Sequence, residues 1–232
     1  MSAILQTVHR ELRERYGEEL MGTLDEMHPF ARQIIEDCSP GKDGPDSKYS
    51  QFVSALIEDA RSVGFKLTEE EIREKLPPAK FFEFMKSFAL GVQYVAHKIK
   101  EEAEVNDYRF AHEITLGGKR VSNFVAFTNI TKNEITIRPA LVLGAVSSPD
   151  AFKEELGYEN TDLSPQEVFT LLGVEEMLHI FQGQHGQRPT YDITNLDKRA
   201  YDADPTEQIA REVERIAIDE LKLGAAQCGV SR

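Results

Sequence analysis

Tryptophan is absent from this chain, cysteine occurs twice, and Lys plus Arg fall well short of Asp plus Glu, 27 against 40. The shortage of cations leaves a formal charge of −13. That balance argues against a nucleic-acid or anionic-membrane partner, because both reward clustered Lys and Arg. The acids are spread along the chain rather than gathered in a tail, which is a pattern of solubility. Cys38 and Cys228 stand nearly a chain length apart, with no CxxC and no Cys/His cluster. Their placement argues against a thiolate zinc site and against a disulfide framework. No apolar run approaches the roughly 20 residues that cross a bilayer. The stretch Met1 to Arg10 carries charge and lacks the apolar core of a signal peptide. The expectation is a cytoplasmic protein with no membrane and no nucleic-acid partner, its oligomeric state left open.

What is there reads as a folded chain. The 232 residues are 41% apolar and 29% charged, enough for one large domain or two small ones. Residues 2 to about 100 read as helices parted by breakers, through His9 to Tyr16, Pro29 to Cys38, about 49–63, 69–76 and about 79–103. Thr68 and Glu71 form a capping box for the fourth. In the last, Phe81, Met85, Phe88, Val92, Val95 and Ile99 recur at three- and four-residue steps, a buried stripe. Ser39 to Lys48 holds two Gly and two Pro and is the clearest loop; its aspartates lack the ligand alternation of a calcium loop. From about 107 the texture turns to strands: Ile114 to Leu116, Val121 to Thr128, and Glu134 to Arg138 after a turn at Lys132-Asn133. Pro139 ends the last strand or leaves it at a sheet edge, and Ser147 to Asp150 is read as a loop that leads on through a short helix. Two long helices follow, 165–183 and 205–223. The expected architecture is α+β: a helical region 1–105 packed on a unit 106–232 that holds a small, mainly antiparallel sheet.

The helix from 165 announces itself with Ser164 as N-cap, Pro165 at the first position and Glu167 three residues after the cap. At about 100° per residue, Val168, Leu171, Leu172 and Leu178 form an apolar stripe with Glu175 and His179 in its middle. Four residues apart, those two side chains face one point. A buried carboxylate or imidazole needs a partner, which is the other member of the pair, a further side chain or a metal ion. Glu176 sits about 100° round the helix, at the edge of the stripe.

Glu175-Glu176-Met177-Leu178-His179 resembles the His-Glu-x-x-His helix of the zincin metallopeptidases. There two residues at i and i+4 grip Zn²⁺, and the Glu after the first is a general base. Asn133 to Leu141 is similar to the edge-strand region ahead of such helices. Tyr201 to Ala210, with Pro205-Thr206-Glu207, is similar to the acid-bearing stretch after them. The resemblance covers roughly residues 110–223 and implies a zincin-like α+β fold. It further implies a metal-dependent hydrolase of peptidase type acting on a peptide or protein. Glu175, His179 and Glu207 would hold a divalent metal, zinc first, with Glu176 as general base. His185, six residues after His179, and Glu214, on the same apolar side as Ala210, Val213 and Ala217, are alternative third ligands. Tyr191 and Tyr201 are candidate oxyanion donors.

Glu175 stands where the family has its first histidine. The substitution makes the site more negative and better suited to harder metals. It leaves open an inactive relative or binding protein without metal, in which Glu175 and His179 form a buried hydrogen-bonded pair. Asp204 to Glu207 also reads as a capping box that needs no metal. A di-iron bundle, which would use Glu176-x-x-His179, requires a second copy of the motif, and the nearest match is Asp25 to His28. His9, His28, His97 and His112 read as ordinary surface or core histidines. No serine elbow, phosphate loop or dinucleotide fingerprint occurs.

Overall fold

The computed structural model describes residues 2–224 except Asp43, Glu101, Glu102, Asn123, Ile193, Asn195 and Leu196; Cys228 lies outside the described residues. The α+β expectation holds. Eleven α-helices among the described residues surround a small sheet. Among these residues no helix is long and apolar enough to cross a membrane.

Two helices organise the chain. Helix α6 (Pro78–Ile99) starts with proline at its first turn and is stopped by Lys100, whose φ of 56° is left-handed. Helix α9 (Pro165–Gln184) starts at the predicted capping box, where Ser164 N donates to Glu167 at 2.7 Å and Glu167 N donates to the Ser164 hydroxyl at 3.3 Å. They cross where both are glycine. A Cβ at Gly91 would lie 2.0 Å from the Thr170 carbonyl oxygen, and one at Gly173 would lie 2.2 Å from that of Phe88. The backbones therefore meet with no side chain between them. Flanking this crossing, Phe84 packs edge-on to Phe169 at 5.0 Å, and Phe152 from α8 (Pro149–Glu155) stacks on the same ring.

Helix α11 (Pro205–Glu220) packs along α9, and strand β4 (Ala126–Asn129) lies against another side of it. β4 pairs antiparallel with β5 (Glu134–Ile137), which pairs parallel with β1 (Asp107–Phe110), in the order β1-β5-β4. Strands β2 (Ile114–Leu116) and β3 (Lys119–Val121) form a separate hairpin closed by Gly117 and Gly118, both at positive φ. The remaining helices are α1 (Ala3–Tyr16), α2 (Glu18–Met21), α3 (Pro29–Asp37), α4 (Lys48–Ser62), α5 (Glu69–Lys75), α7 (Pro139–Ser147) and α10 (Lys198–Ala203). One continuous core runs from Leu5 to Leu223. Buried Asp59 on α4 takes two bonds from Arg138 at the end of β5, pinning the sheet to the helical side.

Four local expectations change. The stretch 121–128 is not one strand, since β3 ends at Val121 and β4 begins at Ala126. The sheet contains a parallel pair, β1 with β5, whose partners are far apart in sequence and leave no local signal. β5 is the central strand, and the edge beside α9 is β4. Residues 139–147 form a helix, α7, that the sequence reading did not assign, and the loop expected at Ser147 to Asp150 shrinks to Ser148, which alone separates α7 from α8. Its run Leu141-Val142-Leu143-Gly144-Ala145-Val146 is apolar on all sides, and periodicity cannot tell such a helix from a strand.

The glycine crossing makes a direct prediction. Gly91→Ala and Gly173→Ala should each destabilise the protein by about 3 kcal/mol or more, the upper end of overpacking costs, because the clashing atoms are backbone. Gly144→Ala in α7, where an added Cβ meets nothing within 4 Å, should instead stabilise by about 0.5–1 kcal/mol. Urea denaturation of the three variants measures the difference. Equal tolerance at Gly173 and Gly144 would disprove the backbone contact.

Candidate metal centre

Helix periodicity places Glu175 and His179 on adjacent turns of α9, with side chains 25% and 14% exposed. The first turn of α11 supplies Glu207, whose side chain is 2% exposed. His179 Nε2 lies 3.9 Å from Glu175 Oε1 and 3.7 Å from Glu207 Oε2. One ligand atom from each residue falls within 4.8 Å of the others, and this is the metal-competent group among the described residues. The imidazole-to-carboxylate distances are too long for hydrogen bonds. They are close to the spacing, about 3.3–3.5 Å, that tetrahedral bonds of 2.0–2.2 Å require between neighbouring ligands. The donor set of one imidazole and two carboxylates is one that divalent metals accept.

Each of the three has a second polar partner. Tyr191 donates to Glu207 Oε1 at 2.7 Å, leaving Oε2 turned to the histidine. Tyr201 donates to Glu175 Oε1 at 3.3 Å. Gln182 Oε1 lies 2.9 Å from His179 Nδ1. The two tyrosine rings pack edge to face at 5.2 Å, which braces both carboxylates from one side. Their hydroxyl groups, expected as oxyanion donors, are engaged with the carboxylates instead. Burial, and then the negative neighbours, push both phenols above their ordinary range.

Glu176 departs most from expectation. The helical wheel puts it at the edge of the apolar stripe and Glu175 in the middle, but Glu176 is 4% exposed and Glu175 is half-buried. α9 packs against α6, α11 and β4, and β4 covers the side of the helix that carries Glu176. The Thr128 hydroxyl of β4 bonds the Glu176 carboxylate and also lies 3.2 Å from the Glu176 carbonyl oxygen. Burial first, and the charge of Glu175 second, push the Glu176 carboxyl up to about 8. For His179, burial works to lower the pKa, but Glu175, then Glu176 and Glu207, overcome it and raise it to about 10. Thr128, Ile130, His179, Pro189, Tyr191 and Glu207 are among the residues around a cleft of about 70 Å³, room for a few waters or one small polar group.

The alternative ligands lie elsewhere. His185 is exposed at the end of α9, with its ring 4.2 Å from that of Phe181 and Nδ1 3.0 Å from the Phe181 carbonyl. Glu214, half-buried on α11, shares a hydrogen bond with Tyr158. Burial and the charge of Glu175 raise Glu214 well above the carboxylate range, yet it is not in the ligand group. His28, in the would-be second di-iron motif, caps α3 by accepting from Phe30 N at 3.2 Å. The capping-box reading of Glu207 does not hold. Asp204 caps α11 alone, accepting from Thr206 N at 2.9 Å, while Glu207 turns into the centre. Thr128, Tyr158 and Gln182 were not among the candidates read from the sequence. A single polar side chain in a strand, loop or helix end carries no spacing signal.

Asp204 joins the loop over the cleft to α11. Its Oδ1 accepts from Thr206, and its Oδ2 accepts from Thr190 N and Thr190 Oγ1, both at 2.6 Å. Burial opposes its charge, but the four donors hold the carboxyl at about 2. Because the folded value lies below the unfolded one, near 3.9, this stabilisation is complete above pH about 4 and drains as pH falls toward about 2. Asp204→Asn should cost about 1–3 kcal/mol at pH 7, the scale for a lost bond to a charged acceptor and a donor left facing Thr190 N. The gap from wild type should narrow as pH is lowered from 4 to 2, read by thermal melts across that range. A gap independent of pH would show that the charge of Asp204 is not what holds the loop.

Compared with protein-family models, curated proteins and solved structures, the chain gives no match.

Proposed function

We propose that the protein is a zincin-like, metal-dependent hydrolase of peptidase type. Glu175, His179 and Glu207 hold the metal, and Glu176 is the general base. The observation that carries the reading is the convergence of one imidazole nitrogen and two carboxylates from separate helices, at separations too long for hydrogen bonds and close to those between metal ligands. Three polar side chains, each held by an outer partner, are a costly arrangement for a core with no ion to bind.

A bound divalent metal would polarise a substrate carbonyl and acidify a water in the cleft. Around it, the residues of the chain divide the work. Tyr191 and Tyr201 hold the two carboxylates in place. Glu176, steadied by Thr128, takes a proton from the attacking water and returns it to the leaving amine. Burial and the charge of Glu175 raise its carboxyl toward neutral pH, which suits a group that first accepts a proton and then returns it. β4, the edge strand beside α9, has no strand on its outer side among the described residues. Such an edge can take up an extended peptide through backbone hydrogen bonds, which supports a peptide or protein substrate.

Protein purified without chelator or affinity tag should carry close to one equivalent of divalent metal. Stripping it should lower the melting temperature. Loss of a ligand present at about 100 times its Kd removes about 2.7 kcal/mol, or about 5–10 °C for a chain of this size. Elemental analysis that finds no metal, with no thermal response to zinc, manganese or iron, favours the buried Glu175–His179 pair instead. Glu176→Gln should lower turnover on a peptide substrate by roughly 10² or more while metal content stays the same. Unchanged turnover would remove Glu176 from the mechanism.

A further inference from the structure

Gln182 is 4% exposed and makes two hydrogen bonds inside the protein. Its Nε2 donates to the Thr206 carbonyl oxygen at 3.1 Å, and its Oε1 lies 2.9 Å from His179 Nδ1. The two ends cannot be exchanged. A carbonyl oxygen only accepts, so the NH₂ end belongs to Thr206, and the oxygen end is left for His179. An oxygen acceptor in turn requires a proton on Nδ1. The ring nitrogen that remains, Nε2, is the one facing Glu175 and Glu207. Thr206 immediately precedes Glu207 in the chain, so one amide links the imidazole on α9 to the carboxylate-bearing turn of α11.

We infer that Gln182 is the positioning residue of the centre: it holds a proton on His179 Nδ1, turns Nε2 toward the two carboxylates and ties the α9 ligands to Glu207. Its effect on metal affinity rests on the metal-centre reading above, whereas the proton on Nδ1 does not. The sequence position fits the role. Three residues beyond His179 on the same helix, Gln182 reaches the ring from the next turn. Its length also spans the gap to the backbone of α11.

Two substitutions separate its two bonds. Gln182→Glu keeps an oxygen for His179 and loses the donor to Thr206, whereas Gln182→Met keeps the length and loses both. In metal-stripped, ¹⁵N-histidine-labelled protein, the Nδ1 proton of His179 should exchange slowly in the wild type and in Gln182→Glu, and at least about tenfold faster in Gln182→Met, where no side-chain oxygen accepts it. In zinc titrations against a competing chelator, Gln182→Met should bind about 10–100-fold more weakly, while Gln182→Glu stays within about threefold of wild type. Both variants should melt below the wild type, since both lose the buried hydrogen bond that Gln182 donates to the Thr206 carbonyl. A wild-type His179 protonated on Nε2 alone overturns the inference. So does a zinc affinity that follows melting temperature equally in both variants with the Nδ1 signal unchanged, the result that packing alone would produce. A wild type with the Nδ1 proton but no zinc uptake supports the role of Gln182 and removes the metal reading.

Discussion

The contact between α6 and α9 at Gly91 and Gly173 is the constraint on which the rest of the structure hangs. With no side chain at either position, the two backbones close to a distance at which a single methyl group would strike a carbonyl oxygen. Helix axes normally stay 8–10 Å apart because side chains hold them there, so paired glycines are the route to a tighter approach. The tight crossing draws α9 into the core, where its residues from Glu167 to Val174 are buried without interruption. A helix so enclosed has little exposed surface on which to shed polar residues. Each polar group on its C-terminal half must therefore find a partner inside, and the elements around α9 supply those partners.

Those partners arrive from three directions. β4 brings Thr128 to Glu176, the loop after α9 brings Tyr191, and α10 and α11 bring Tyr201 and Glu207. The outcome is a net excess of negative charge gathered around one imidazole, in a chain that is already at −13. Arg211, on the helix that carries Glu207, is engaged with Asp202 at 2.6 Å and lies over the Tyr201 ring. Carboxylates kept together away from water repel one another unless a proton or a cation lies between them. Under the proposed function a divalent ion would meet that requirement with two charges at one point, while the tyrosine and glutamine contacts hold the three side chains in place.

Residues 165–184 were the most legible part of the chain. The capping box of Ser164 and Glu167, the proline at the first turn and the four-residue step from Glu175 to His179 are local features, set by covalent geometry and by hydrogen bonds within a few residues. The pairing of these two residues with Glu207 was one of three alternatives that the zincin resemblance left open, beside His185 and Glu214. The burial of Glu176 was not. A helical wheel divides a helix into an inner and an outer face, and that division fails when neighbours cover nearly the whole circumference.

By itself the sequence determined where the helices begin, which residues share a helical turn, and that an acid and an imidazole face one point on α9. Each of these depends on contacts three or four residues apart, which a fixed helical geometry makes certain once the helix forms. The tertiary structure alone decided the parallel pairing of β1 with β5, the choice of Glu207 over His185 and Glu214, the capture of Glu176 by Thr128, and the placement of Gln182 between two helices. Those pairings join residues 24 to 48 positions apart or link separate elements. Nothing in the chain between them fixes their distance. It is set when the glycine crossing, the sheet and the capped start of α11 are packed against one another.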